Sequence, residues 1–158
     1  MKKWPWLLLS LVVVIIDQLT KFWAATQLLP YQPEPLLPMV NFTLAYNTGA
    51  AFSFLSSAGG WQRWLFAIFS LVMSVVLLVW LLRIPKHLKL QLIGVSLILG
   101  GAIGNLYDRA IVGYVVDFIE VYYKNYHWPV FNFADSAICV GAFLLLIDLG
   151  KNSCRQRA

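Results

Sequence analysis

One stretch of this chain runs long enough without a charge to cross a lipid bilayer, and a second does so with the help of its flanking residues. Trp64–Leu82 covers 19 residues and Leu90–Leu106 covers 17 with no Asp, Glu, Lys or Arg. A hydrocarbon core needs roughly 17–25 mostly apolar residues in a helix. Within it every backbone N–H and C=O must be satisfied by protein, which restricts a spanning chain to helices or a closed barrel. Two further runs have the same character with polar ends. The first is Trp4–Ala25, interrupted late by Asp17, Gln18, Thr20 and Lys21; the second is Ala134–Leu149, with Asp135 and Asp148 at its two ends. Hydrophobic residues make up 60% of the chain and charged ones 12%, against about half and a quarter in a soluble domain. The expectation is a membrane α-helical protein, one domain of 158 residues, with spans at about 4–25, 64–82, 90–106 and 134–149.

The basic residues sit at the ends of these runs. In a four-span arrangement Lys2, Lys3, Arg83, Lys86, Lys89, Lys151, Arg155 and Arg157 flank one face, and Lys21, Arg63, Arg109 and Lys124 the other. The positive-inside rule then places both termini and the Ile84–Lys89 loop in the cytoplasm. Asp117 and Asp135 fall on the opposite face. Lys2-Lys3 ahead of Leu7–Ile16 resembles the start of a signal peptide, but no A-x-A site follows. The polar group Asp17–Lys21 would serve no purpose in a removable peptide, so the first span is expected to be retained.

A net charge of +5 spread over helix ends gives no clustered basic face for nucleic acid. Cys139 and Cys154, 15 positions apart, would be separated by about 22 Å on one helix, too far to bridge. Neither the cysteines nor His87 and His127, on opposite faces, have metal-ligand spacing. No Ser/His/Asp set and no phosphate-binding glycine loop is present. No cofactor is implied.

The two outer segments carry patterns of their own. Pro30, Pro33, Pro35 and Pro38 punctuate an extended stretch. Val40, Phe42, Leu44 and Tyr46 then alternate with Asn41, Thr43 and Ala45, a strand signal. Asn47-Thr48-Gly49 reads as a turn, with a returning strand over Ala50–Leu55. Tyr114–Phe133, rich in aromatic and β-branched residues, adds strands to the same small sheet. That sheet would rest at the outer membrane interface, where Tyr and Trp are favoured.

Carboxylates beside hydrocarbon are costly, and such a residue is a functional candidate by default. Two neighbouring carboxylates share a proton, because both cannot easily ionise. One can then activate a water while the other protonates or polarises a carbonyl. Asp117 and Asp135 are the candidates for this chemistry. The competing reading has Asp135 capping the fourth helix and Asp117 facing water on a loop. Asn132, three residues before Asp135, could cap that helix or hydrogen-bond the pair. A position near a helix N-terminus favours the charged form, so Asp135 is expected to hold the charge and Asp117 the proton. Asp17 and Lys21 are four apart with the acid first, a favourable order, and Thr20 shares their face. Gly100 and Gly104 form a G-x-x-x-G pattern for close helix packing. Asp108 is expected to pair with Arg109, and Asp148 with Lys151 or headgroups.

Five short blocks occur in order along the chain: Asp17-Gln18-Leu19-Thr20-Lys21, Asn47-Thr48-Gly49-Ala50-Ala51-Phe52-Ser53, Gly104-Asn105-Leu106-Tyr107-Asp108-Arg109, Val116-Asp117-Phe118, and Phe131-Asn132-Phe133-Ala134-Asp135-Ser136. Together they resemble the lipoprotein signal peptidase (signal peptidase II) family, with Tyr107 a mild departure at a usually aliphatic position. The resemblance implies four transmembrane helices with a small extracytoplasmic β-sheet cradling the substrate. It implies a metal-independent aspartic peptidase of the bacterial inner membrane, with its site toward the periplasmic face. The substrate would be a prolipoprotein carrying a diacylglyceryl group on its lipobox cysteine, cleaved on the N-terminal side of that cysteine. The catalytic dyad maps to Asp117 and Asp135. Supporting or substrate-binding residues map to Asp17, Lys21, Asn47, Gly49, Asn105, Asp108, Arg109 and Asn132. Inhibition by globomycin is implied, and a monomer embedded in membrane lipids suffices. The rival classes are a small proton-coupled transporter or channel, and a membrane scaffold whose polar residues hold helices together.

Overall fold

The structure, a computed structural model, describes residues 3–49 and 60–157. The returning strand expected over Ala50–Leu55 lies outside them. Among the described residues four helices are long and apolar enough to cross a membrane. They are α1 (Trp4–Gln27), α2 (Trp61–Arg83), α3 (Lys89–Tyr107) and α4 (Phe133–Arg157). Pro5 stands in the first turn of α1, where its missing N–H costs nothing. The chain is thus a multi-pass membrane protein with a small sheet, in agreement with the fold class read from its sequence.

The helix α3 is the hub, packing against α1, α2 and α4. Small residues on two of its faces explain how. Toward α1, Gly100 lies so close that a Cβ there would come within 2.7 Å of the Ser10 carbonyl oxygen. Toward α4, Gly94 and Gly141 meet across the interface, a Cβ on Gly141 falling 2.5 Å from the Gly94 carbonyl oxygen. Lipid offers helices no hydrophobic reason to associate, so close backbone approach and van der Waals contact have to supply it. The expected Gly100/Gly104 pattern is therefore one half of a two-sided arrangement. The outward faces of α1 and α2, including Leu11, Ile15, Phe69, Val72 and Val75, are exposed, as hydrocarbon-facing residues should be.

Four strands form one antiparallel sheet in the order β1 (Glu34–Leu37), β2 (Val40–Asn47), β3 (Val115–Tyr123) and β4 (Tyr126–His127). Pro35 is tolerated in β1 because β1 is an edge strand. Beneath the sheet, Ala24, Leu28, Leu44, Val116 and Phe118 form a core. Trp23 meets the Phe42 ring edge-on at 5.1 Å, so the top of α1 carries the sheet. A second core, Leu77, Leu81, Ile84, Leu92, Val95 and Leu99, joins α2 to α3 at the other end. Near it Asp148 accepts a hydrogen bond from Gln91 Nε2 at 2.7 Å, a partner on α3 beyond the expected Lys151 or headgroups. Thr20 donates to the Ile16 and Asp17 carbonyls of its own helix.

Gly141→Val should destabilise the protein by about 1–3 kcal/mol, because the branched side chain has nowhere to go but into the α3 backbone. Thermal unfolding in detergent, compared with Gly150→Val at an open position, measures this directly.

Candidate active site

The route by which Asp117 meets Asp135 is backbone geometry. Phe131 pairs with Ile119 of β3 in an antiparallel bridge, its carbonyl accepting from the Phe118 and Ile119 N–H groups at 3.0 and 2.8 Å. This delivers Asn132 to the side of β3 just as α4 begins. Asn132 Oδ1 accepts from the Asp135 N–H at 3.0 Å, and the Asn132 N–H donates to Asp135 Oδ2 at 3.3 Å. That is a reciprocal capping box, satisfying two N–H groups at the start of the helix. Asn132, not Asp135, is the cap. Asp17 Oδ1 takes a further first-turn N–H, that of Ala134, at 2.9 Å.

Asp117 is 3% exposed, which removes the reading of a solvated loop residue. It is paired in register with Ala45; Asn47, two residues further along β2, occupies the same face and reaches it diagonally. Asn47 Nδ2 donates to Asp117 Oδ2 at 3.1 Å and Asn132 Nδ2 to Asp117 Oδ1 at 2.6 Å. Asp135 Oδ1 accepts from Asn105 Nδ2 at 2.8 Å. Asn132 therefore holds both carboxylates at once.

Three asparagines supply these donors, and each has its amide orientation fixed at the oxygen end. Asn47 Oδ1 accepts the Gly49 N–H at 3.0 Å, closing the expected turn. Asn105 Oδ1 accepts the Lys21 ammonium at 3.0 Å. Asn132 Oδ1 accepts the Asp135 N–H. Backbone N–H groups and ammonium can only donate, so in each amide the NH2 must be the end that faces a carboxylate.

Lys21 itself is buried; its ammonium donates to Asp17 Oδ2 at 2.8 Å and to Asn105 Oδ1 at 3.0 Å, and it lies 2.7 Å from Asp108 Oδ2 as an ion pair. The expected Asp17–Lys21 pair is present. The expected Asp108–Arg109 pair is not. The chain leaves α3 through a π turn, Asp108–Val112, which points Asp108 inward to Lys21 and Arg109 elsewhere. Arg109 donates to the Asn105 and Gly49 carbonyls at 3.3 and 3.4 Å. Gln18, given no role from the sequence, donates to Asp17 Oδ2 at 3.1 Å and Asp108 Oδ1 at 3.0 Å. Gly104 leaves room for this cluster, since a Cβ there would lie 2.5 Å from Asp17 Oδ2.

Burial pushes the Asp117 carboxyl up from 3.8 to about 7, and the charge of Asp135 adds to the shift. The hydrogen bonds from Asn47 and Asn132 and the charge of Lys21 oppose it only in part. Near neutral pH Asp117 is therefore poised to keep or release a proton beside a second carboxylate. Both open onto a cavity of about 570 Å³, lined also by Asn47, Asn105, Arg109 and an apolar wall that includes Phe131 and Ile138. Such a pair can activate a water and protonate a carbonyl. Among the described residues no three His, Cys, Asp or Glu side chains gather to hold a metal.

One polar cluster escaped the sequence reading. Glu120 on β3 accepts from Thr43 at 2.6 Å and Asn41 at 3.1 Å, and meets His127 Nδ1 at 2.8 Å. Burial pushes this carboxyl up, but the hydrogen bonds from Thr43, Asn41 and His127 outweigh it and hold it below the usual glutamate range. It ties β2, β3 and β4 together. A second acid, three residues after Asp117 in the same aromatic and β-branched run, was the available signal.

A family model described as signal peptidase (SPase) II matches residues 9–151. A lipoprotein signal peptidase of Acinetobacter baylyi is 54% identical over 143 residues, which cover 90% of this chain and 80% of that protein. One of Pseudomonas putida is 53% identical over 149 residues, covering 93% and 87%. A solved bacterial membrane enzyme superposes with a TM-score of 0.84 at 32% identity, over 94% of this chain and 89% of its own.

Lys21→Met should cost about 3–5 kcal/mol, because it leaves Asp17 and Asp108 buried without their cation. Thermal unfolding in detergent checks the value.

Proposed function

The chain belongs to the signal peptidase II family, and from that premise we propose that Asp117 and Asp135 are the catalytic dyad of a lipoprotein signal peptidase. The observation that carries this is Asn132 holding both carboxylates, Asp117 Oδ1 through its amide and Asp135 through its capping box. The transporter reading is not favoured: the curated relatives are peptidases, and every acid but Asp148 gathers at one end of the bundle instead of being spread through its depth.

In the resting pair Asp135, at the N-terminus of α4, holds the charge, and Asp117 holds the proton. A peptide carbonyl enters the cavity near Arg109, whose guanidinium steadies a substrate carbonyl. Asp135 takes a proton from water as its oxygen attacks the carbonyl carbon, and Asp117 gives its proton to the carbonyl oxygen. The gem-diol then collapses. Asp135 passes its proton to the departing amine while Asp117 recovers one from the diol hydroxyl, so the pair ends as it began. Asn47, Asn105 and Asn132 keep the carboxylates in place, and the Asp17–Lys21–Asp108 cluster with Gly49 keeps the asparagines in place.

The substrate is a prolipoprotein carrying diacylglyceryl on its cysteine, cut on the N-terminal side of that residue. The apolar wall of the cavity, beside hydrocarbon-facing α4, suits a lipidated peptide approaching from the bilayer. Lys3, Arg83, Lys86, Lys89 and Lys151 gather at the end remote from the sheet. By the positive-inside rule that end is cytoplasmic, which directs the site to the periplasmic face of a bacterial inner membrane. Globomycin would compete for the cavity. The site draws on one chain, so a monomer is sufficient.

Asp117→Asn and Asp135→Asn should each abolish cleavage of a lipidated prolipoprotein while the protein still inserts and folds. Near-normal turnover by either variant would refute the dyad. In the wild type, turnover should decline as pH rises through about 7, because Asp117 then loses the proton it must donate. A pH–rate profile with saturating substrate reads this limb.

A further inference from the structure

Arg63 lies on the first turn of α2, outside every interaction invoked so far. Its Nε donates to the Arg109 carbonyl at 2.7 Å and its Nη2 to the Ala110 carbonyl at 2.8 Å. Both carbonyls belong to the π turn that ends α3. The last carbonyls of a helix have no partner within it, and a planar guanidinium suits two adjacent acceptors. The guanidinium carbon lies over the Trp64 ring, 4.8 Å from its centroid. On the other side of the turn the Gly113 N–H closes onto the Asp108 carbonyl at 2.8 Å. Gly113 has φ +102, and a Cβ there would lie 3.1 Å from Arg63 Nη1. Glycine thus leaves room for the arginine and supplies a backbone conformation that other residues adopt with strain.

This grip matters because of what the turn presents to the cavity. The hydrogen bonds of the Arg109 side chain are long, 3.3 and 3.4 Å. Its backbone carbonyl is bound more tightly, by Arg63. The position from which Arg109 reaches the cavity is therefore set mainly through its main chain. We infer that Arg63 is a positioning residue for the peptidase: it clamps the π turn so that Arg109 faces the substrate carbonyl. The inference rests on the role proposed above for Arg109. A clamp serving only the other residue of the turn, Asp108 with its bond to Lys21, would be structural and would act independently of Arg109.

A double-mutant cycle on purified enzyme, with a lipidated prolipoprotein as substrate, separates these cases. Arg63→Gln should raise KM and lower kcat/KM by about 10-fold, within the roughly 100-fold that a 1 Å misplacement can cost. A change in KM at nearly constant kcat is the sign of lost substrate binding. Arg63→Lys, able to hold the turn only as a point charge, should fall between Arg63→Gln and wild type. If Arg63→Gln proves too unstable to assay, Arg63→Lys and Gly113→Ala probe the same grip more gently. The variant combining Arg63→Gln with Arg109→Gln should be no worse than Arg109→Gln alone. Losses that multiply, or unchanged kcat/KM in Arg63→Gln, would overturn the inference. Wild-type kcat/KM in Arg109→Gln would overturn it as well, yet would leave the dyad standing wherever Asp117→Asn remains inactive.

Discussion

The site depends on the amide of Asn132. One end caps α4 through the Asp135 N–H, and the other donates to Asp117 on β3. A membrane helix and an extramembrane strand are thereby joined by a residue whose every polar group has a task. An amide in this position cannot turn over without setting its NH2 against a backbone N–H and its oxygen against a carboxylate. The energetic cost of such a flip inside a protein, with two buried groups left unsatisfied, is several times that of a typical net hydrogen bond. The donor pattern around the two aspartates is fixed before any substrate arrives, as electrostatic preorganisation requires.

The buried ions extend the same logic one layer outward. Lys21, 3% exposed, would be expensive to desolvate alone. It is ion-paired with both Asp17 and Asp108 and donates hydrogen bonds to Asp17 and Asn105. Its ammonium turns the Asn105 amide so that the donor faces Asp135. Asp17 also reaches the first turn of α4, so α1, α3 and α4 converge on one charge cluster. Glycines at the helix contacts let backbones approach closely enough for short side chains to span the gap.

Much of this was legible in the chain because the relevant signals are local. Uncharged runs located the spans, alternation located β2, and Asn132 three residues ahead of Asp135 announced a cap. The five blocks named residues that the fold brings together around one cavity. Pairings across elements were less legible. Asp108 and Arg109 are neighbours and look like partners, but the π turn points them apart, and Asp108 finds Lys21 in α1. Asp148 meets Gln91 on α3, a partner that its own helix does not announce. Gln18 and Arg63 carry polar groups whose use depends on how one helix is rotated against another, which no single stretch of sequence encodes. Glu120 was passed over because its partners lie on other strands or across a turn.

In the proposed mechanism the resting dyad carries one proton, on Asp117, titrating near neutrality. Difference infrared spectroscopy of the protonated carboxyl stretch detects that proton. A band is expected at pH 6 that fades as pH rises through about 7 and is missing in Asp117→Asn. A band that persists in Asp117→Asn and vanishes in Asp135→Asn would place the proton on the other aspartate and contradict the account.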